Sequence, residues 1–150
     1  MSEKKGFTLV EMLIVVVLIG IVTLIGFPKV SSGLAKSNLR SSRTTLANMF
    51  AKARAVATQG NRRTWVNFNG NNVVVTASPR AVVLAGSTVD TVGAVEKLDL
   101  LYGVTLTAPV TSVAYDPRGF GSLSTSRTFV VARNSKRDSI IVDGLGRVTK

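Results

Sequence analysis

Histidine and cysteine are both absent from the 150 residues. The commonest general base, the commonest nitrogen ligand for a metal and the readiest nucleophile are therefore missing together. Catalysis would have to rest on carboxylates or on a Ser–Lys pair. The acids are Glu3, Glu11, Asp90, Glu96, Asp99, Asp116, Asp138 and Asp143. Beyond the first two they are scattered through expected turns and one expected strand. Glu96 and Asp99 are three apart, so a strand would set them on opposite faces, and they make no catalytic pair. The sequence holds no phosphate-cradling loop, nucleophile elbow or calcium-type loop of clustered aspartates. The expectation is a chain that is not an enzyme, with no catalytic residue, no metal and no cofactor. One acid still demands an explanation. Glu11 is the single ionisable group within residues 7–27, and a carboxylate inside a bilayer costs about 2.5 kcal/mol or more unless it is paired.

The run that carries Glu11 is 21 residues long. As a helix it reaches roughly 30 Å, the thickness of a hydrocarbon core. It shows no polar face, as a soluble core helix would, and reads as a membrane anchor. Lys4 and Lys5 precede it and mark the cytoplasmic side. The remainder is then expected outside the inner membrane, after a single pass. No small-x-small site for a signal peptidase follows the run. Gly20 suits close helix packing, and Pro28 is expected to kink the helix near residues 24–28 rather than end it.

Lys5-Gly6-Phe7-Thr8-Leu9-Val10-Glu11 before a long apolar helix resembles the prepilin signature of type IV pilins and type II secretion pseudopilins. In that family a membrane prepilin peptidase cuts after the glycine, here Gly6, and N-methylates the new terminus, here Phe7. The resemblance also implies a role for Glu11, whose carboxylate would pair with the α-amino group at Phe7 of a neighbouring (pseudo)pilin in the filament. An unpaired carboxylate is costly in a low-dielectric bundle, so such pairing rewards the correct stagger and penalises others. Residues 1–6 are then a leader, 7–28 the transmembrane and assembly helix, 29–60 its continuation, and 61–150 a β-rich domain.

Net charge is +11, and loss of the leader, with two lysines and one glutamate, leaves +10. So basic an exported domain is drawn to anionic lipid, acidic partners, cell-wall polymers or nucleic acid. Between residues 29 and 60, Ala35, Leu39, Ser42, Leu46, Met49, Phe50, Ala53 and Ala57 share one helical face. Lys36, Arg40, Arg43 and Arg54 cluster within roughly 60° on another. Eight basic residues and no acid lie between Lys29 and Arg63. This is read either as a solvated face or as a contact with an anionic membrane surface or an acidic neighbour. Gly60-Asn61 should end the helix.

Strand patterns follow. Residues 64–68 and 73–77 form a hairpin about Asn69-Gly70-Asn71-Asn72. Residues 81–84 read as a further strand, 85–94 as a loop or weak strand, and 95–101 as a half-exposed strand. Short strands are expected at 104–107 and 112–115, then a turn at Asp116-Pro117-Arg118-Gly119. Residues 127–132 and 139–142 should pair across Asn134-Ser135-Lys136-Arg137, with a last strand end at 147–149. The implied fold is α+β, pilin-like, a long N-terminal transmembrane helix packed on an antiparallel sheet.

Residues 113–121, 128–131, 140–142 and Gly146-Arg147-Val148 resemble the GspH/FimT group of minor pseudopilins. Members of that group cap or prime filaments of type II secretion systems or type IV pili. Some FimT-like members bind DNA for natural transformation through a C-terminal Gly-Arg-x-Arg stretch. Here Gly146-Arg147-Val148-Thr149-Lys150 matches its first arginine, with threonine in place of the second. Arg133, Lys136, Arg137, Arg147 and Lys150 are the candidate polyanion-binding residues, with no aromatic interleaved to stack bases. Plain surface solubility, DNA contact and a partner-protein site all remain open for them.

Overall fold

The computed structural model describes residues 6–79 and 89–149. The chain divides into two compact units, Met1–Ala35 and Lys36–Lys150. One helix, α1 (Leu9–Gly60), contributes to both. Within the first unit the helix opens on Thr8, whose Oγ1 accepts the amide of Glu11 at 3.2 Å while its carbonyl accepts that of Met12 at 3.2 Å. The helix then continues through Pro28, and Ser31 Oγ donates to the Pro28 carbonyl.

The second unit is organised by the far part of α1. Of the eight residues assigned to the apolar face, the seven in this unit, Leu39, Ser42, Leu46, Met49, Phe50, Ala53 and Ala57, are buried, as is Ala35, the last residue of the first unit. The buried hydroxyl of this face, Ser42, is satisfied by donating to the Leu39 carbonyl at 2.9 Å. The helix ends in a Schellman turn: Asn61 takes a positive φ of 46°, and the Arg62 amide reaches back to the Ala57 carbonyl.

After α1 come β1 (Thr64–Asn69), β2 (Asn72–Ala77), β3 (Asp90–Thr91) and β4 (Glu96–Lys97). Then follow α2 (Leu98–Tyr102), β5 (Thr105–Thr107), β6 (Ser112–Tyr115), β7 (Arg127–Arg133), β8 (Lys136–Val142) and β9 (Val148–Thr149). They build two antiparallel sheets rather than one. The first has the order β3-β2-β1-β6, with β4 on the other end of the β2 edge that β3 occupies, and the second has the order β5-β7-β8-β9. In β1 strict alternation buries Thr64, Val66 and Phe68 and leaves Trp65 and Asn67 half-buried on the opposite face. Gly70 opens the two-residue β1–β2 turn with φ 58°.

Phe50 of α1, Phe68 of the first sheet and Phe129 of the second meet in one cluster, with centroid separations of 5.0 to 5.9 Å. Three separate elements are therefore locked by one set of ring contacts. Phe50→Ala should cost about 3–5 kcal/mol, because the cavity it leaves is walled by three elements that cannot collapse together. Chemical denaturation of the full chain in detergent checks this, and a loss below about 1 kcal/mol would show the cluster to be peripheral.

Three expectations need comment. Residues 81–84 lie outside the described residues. The half-exposed strand at 95–101 is instead a strand of two residues followed by the helical turn α2. Gly103 ends that turn with φ 62°, and the Leu98 amide is drawn to the Asn71 carbonyl at 3.0 Å. Lys136 and Arg137 are not in a loop. Arg133 pairs with Lys136 across a two-residue turn, Asn134-Ser135, in which Asn134 carries φ 54°. Both basic residues thus belong to β8.

Candidate functional site

Gly6 and Phe7 precede the first helical turn, and Phe7 is 74% exposed. Glu11 also lies exposed, in the turn that Thr8 caps. The apolar stretch that follows has a mean hydropathy of 2.8 over its most apolar eighteen residues, and none of these is buried. Sequence reasoning passed over Thr8. Its signal was present as Thr8-x-x-Glu11 before an apolar run, the pattern in which a hydroxyl and a carboxylate stabilise a helix start.

The four candidate basic residues among the described residues do not form one patch. Arg133 is half-buried, and its guanidinium donates to the Tyr102 carbonyl. Lys136 and Arg137 stand at the start of β8, whereas Arg147 follows the turn at its end, so that roughly 17 Å of strand separates them. Lys150 lies outside the described residues. Lys136 and Arg137 are joined instead by cations of α1. Lys36, Arg40 and Arg43 come together with them and with Asp138 around a groove of about 550 Å³. Asp138 is bound to Arg43 at 3.1 Å, both of them about three-quarters buried. Arg147 meets the other end of the helix, where it and Arg54 line a groove of about 630 Å³ floored by Ala47, Ala51 and Ala55.

Arg147 is held by Asp143. Its amide donates to Oδ1 at 2.7 Å and its Nε to Oδ2 at 2.9 Å. That amide, followed by the guanidinium, keeps the Asp143 carboxyl below its ordinary range. The stability this contributes is present above the ordinary carboxylate pKa and is lost as pH falls through the lowered value.

Tyr115 closes the same corner. It is fully buried, and its hydroxyl donates to the Gly146 carbonyl at 2.9 Å. Burial pushes its phenol up to about 12, with the nearby Arg54 opposing and Asp143 adding to the shift. The unfolded phenol ionises near pH 10, so folding is favoured fully below that point and loses about 2–3 kcal/mol as pH rises toward 12. Tyr115→Phe should remove that alkaline slope and cost about 0.5–1.5 kcal/mol at neutral pH. Denaturation of both proteins across pH 9 to about 12 checks it, and parallel slopes would contradict the burial account.

An apolar N-terminal helix running into a two-sheet α+β domain defines a membrane-anchored subunit of the pilin class. Residues 1–27 match the prokaryotic N-terminal methylation motif, and residues 43–146 match the family described as Type II transport protein GspH. The chain belongs to that GspH family, the minor pseudopilins. It is also similar to the type IV minor pilin FimU of Pseudomonas aeruginosa (strain PAO1), solved in two crystal forms. In space group P21 the identity is 18% and the TM-score 0.59, over 76% of this chain and 88% of that one. In space group P65 they are 19% and 0.56, over 74% and 90%. At such identities the likeness is one of fold. No curated protein matches the sequence.

Proposed function

We propose that the chain is a minor subunit of a type II secretion pseudopilus or a type IV pilus, acting by assembly and not by catalysis. It is inserted once in the inner membrane with residues 29–150 outside the cytoplasm. Prepilin peptidase cleaves it after Gly6 and methylates Phe7, and it then joins other (pseudo)pilins through its apolar helix. Glu11 sets the stagger by pairing with the terminal amine of a neighbour. One observation carries this reading: the N-terminal methylation motif heads an exposed apolar helix whose single carboxylate, Glu11, sits one turn from that terminus. Sheared filaments from cells expressing the full chain test it. The mature chain should co-purify with them at far below the amount of the main subunit. Its confinement to the membrane fraction, with filaments present, would defeat the reading.

DNA binding for transformation is the second reading, supported by the net charge and by the cations of β7, β8 and the C-terminal turn. It predicts binding that weakens steeply with salt and is lost in Arg147→Ala and in Lys136→Ala/Arg137→Ala. Because Arg147 lies far from Lys136 and Arg137, the two variants report on different sites. Salt-sensitive binding untouched by either would be an effect of net charge alone.

A further inference from the structure

The groove between α1 and the start of β8 gathers charge in a way that neither element does alone. Lys36, Arg40 and Arg43 are spaced to share one helical face, and β8 sets Lys136 and Arg137 opposite them. Lys136 aside, four cations, Lys36, Arg40, Arg43 and Arg137, face one carboxylate, Asp138, and that carboxylate is already bound to Arg43. Such a concentration of like charge opposes the compact state unless an anion from elsewhere joins it.

We infer that this groove docks a carboxylate-bearing segment of a different filament subunit, an inference that rests on the filament-subunit reading. A second copy of this chain is a poor occupant. In the second unit Asp90 is bound to Arg62, Asp138 to Arg43 and Asp143 to Arg147, and Asp116 is taken up by the amides of Arg118 and Phe120. Asp99 accepts the amide of Leu100, so among the described residues of that unit only Glu96 is left without a cation or a backbone amide. Two copies would meet as one basic surface on another, which disfavours their association. Asp138 in the lining also separates a carboxylate from a polyphosphate. A run of phosphates would meet its negative charge, while one aspartate or glutamate side chain can reach Lys36, Arg40 and Arg137 past it. The groove thus selects for a partner that is acidic where this chain is basic, and it sets this subunit beside unlike neighbours.

The test uses the full chain in cells that build filaments. A photoreactive residue in place of the exposed Thr44, one turn beyond Arg40, leaves every cation of the groove intact. It should cross-link to a segment of another (pseudo)pilin that contains aspartate or glutamate. Arg40→Glu/Arg137→Glu should lower incorporation at least about tenfold at unchanged membrane level, since like charges would then meet across the contact. Arg40→Lys/Arg137→Lys should retain incorporation, and an acid-to-lysine change in the cross-linked segment should restore the reversed variant. Cross-linking to lipid, nucleic acid or a second copy of this chain would overturn the inference, as would normal incorporation of the charge-reversed variant. If the unsubstituted chain is itself missing from filaments, the filament reading fails with it. If that chain is incorporated and the charge reversal has no effect, the groove inference alone falls.

Discussion

Glu11→Ala is expected to leave the chain in the membrane and cleaved after Gly6, yet to lower its incorporation into filaments at least about tenfold. The carboxylate stands in the first turn of a helix that is otherwise apolar up to residue 27, where an unpaired charge is expensive. In the proposed role, pairing with the terminal amine of a neighbour would remove that expense in one stagger and in no other. Alanine removes the penalty for every wrong stagger together with the reward for the right one. The helix start itself should survive, because the Thr8 hydroxyl caps the backbone amide of residue 11, which alanine retains. Glu11→Gln separates charge from shape: it should be lost from filaments like alanine if the ion pair is what matters. Quantitative blotting of membrane and sheared fractions reads all three proteins, and wild-type incorporation of Glu11→Ala would remove the register role.

Gly146→Ala is expected to harm the second unit through two separate costs. Gly146 is buried with φ 76°, and a Cβ there would stand 2.4 Å from Tyr115 Cε1 and 3.1 Å from Gly121 Cα. Its carbonyl also holds the Tyr115 hydroxyl. The positive φ costs an L-residue about 1–2 kcal/mol, and overpacking adds about 1–3 kcal/mol, so the sum is of the order of 2–5 kcal/mol. Gly70→Ala is the control. It shares a positive φ of 58° but meets nothing within 4 Å, so only the backbone share, about 1 kcal/mol, should appear. Denaturation of both variants checks the comparison. Equal losses would show that backbone conformation alone governs Gly146, and not the closeness of Tyr115.

Features whose cause is local could be read from the sequence. The buried face of α1 repeats every three or four residues and needs no knowledge of its partner, and all eight of its positions are buried. The hairpin turn at Gly70 and the Asp116 turn were legible because their side chains cap their own backbone or accept a positive φ. The N-terminal methylation motif was legible for the same reason, since it is a run of contiguous residues. The segment 95–101 was misjudged because alternation of apolar and charged residues suits both a short strand and a single helical turn. What decides between them is remote: the carbonyl of Asn71 and the cap at Gly103. The basic residues were misgrouped for a related reason. Closeness in sequence joined Arg137 to Arg147, while the fold joins it to Lys36 and Arg40. The ion pair at the centre of that groove, Arg43 with Asp138, spans 95 residues. No pattern within either segment reveals it.

The measurement that bears most directly on the central claim is the intact mass of the full chain recovered from the membranes of its own cells. A subunit destined for a filament should weigh as residues 7–150 carrying one added methyl group on Phe7, and Gly6→Ala should return it as the uncleaved chain. Recovery of the unsubstituted protein as residues 1–150, or cut at any place other than after Gly6, would contradict the account.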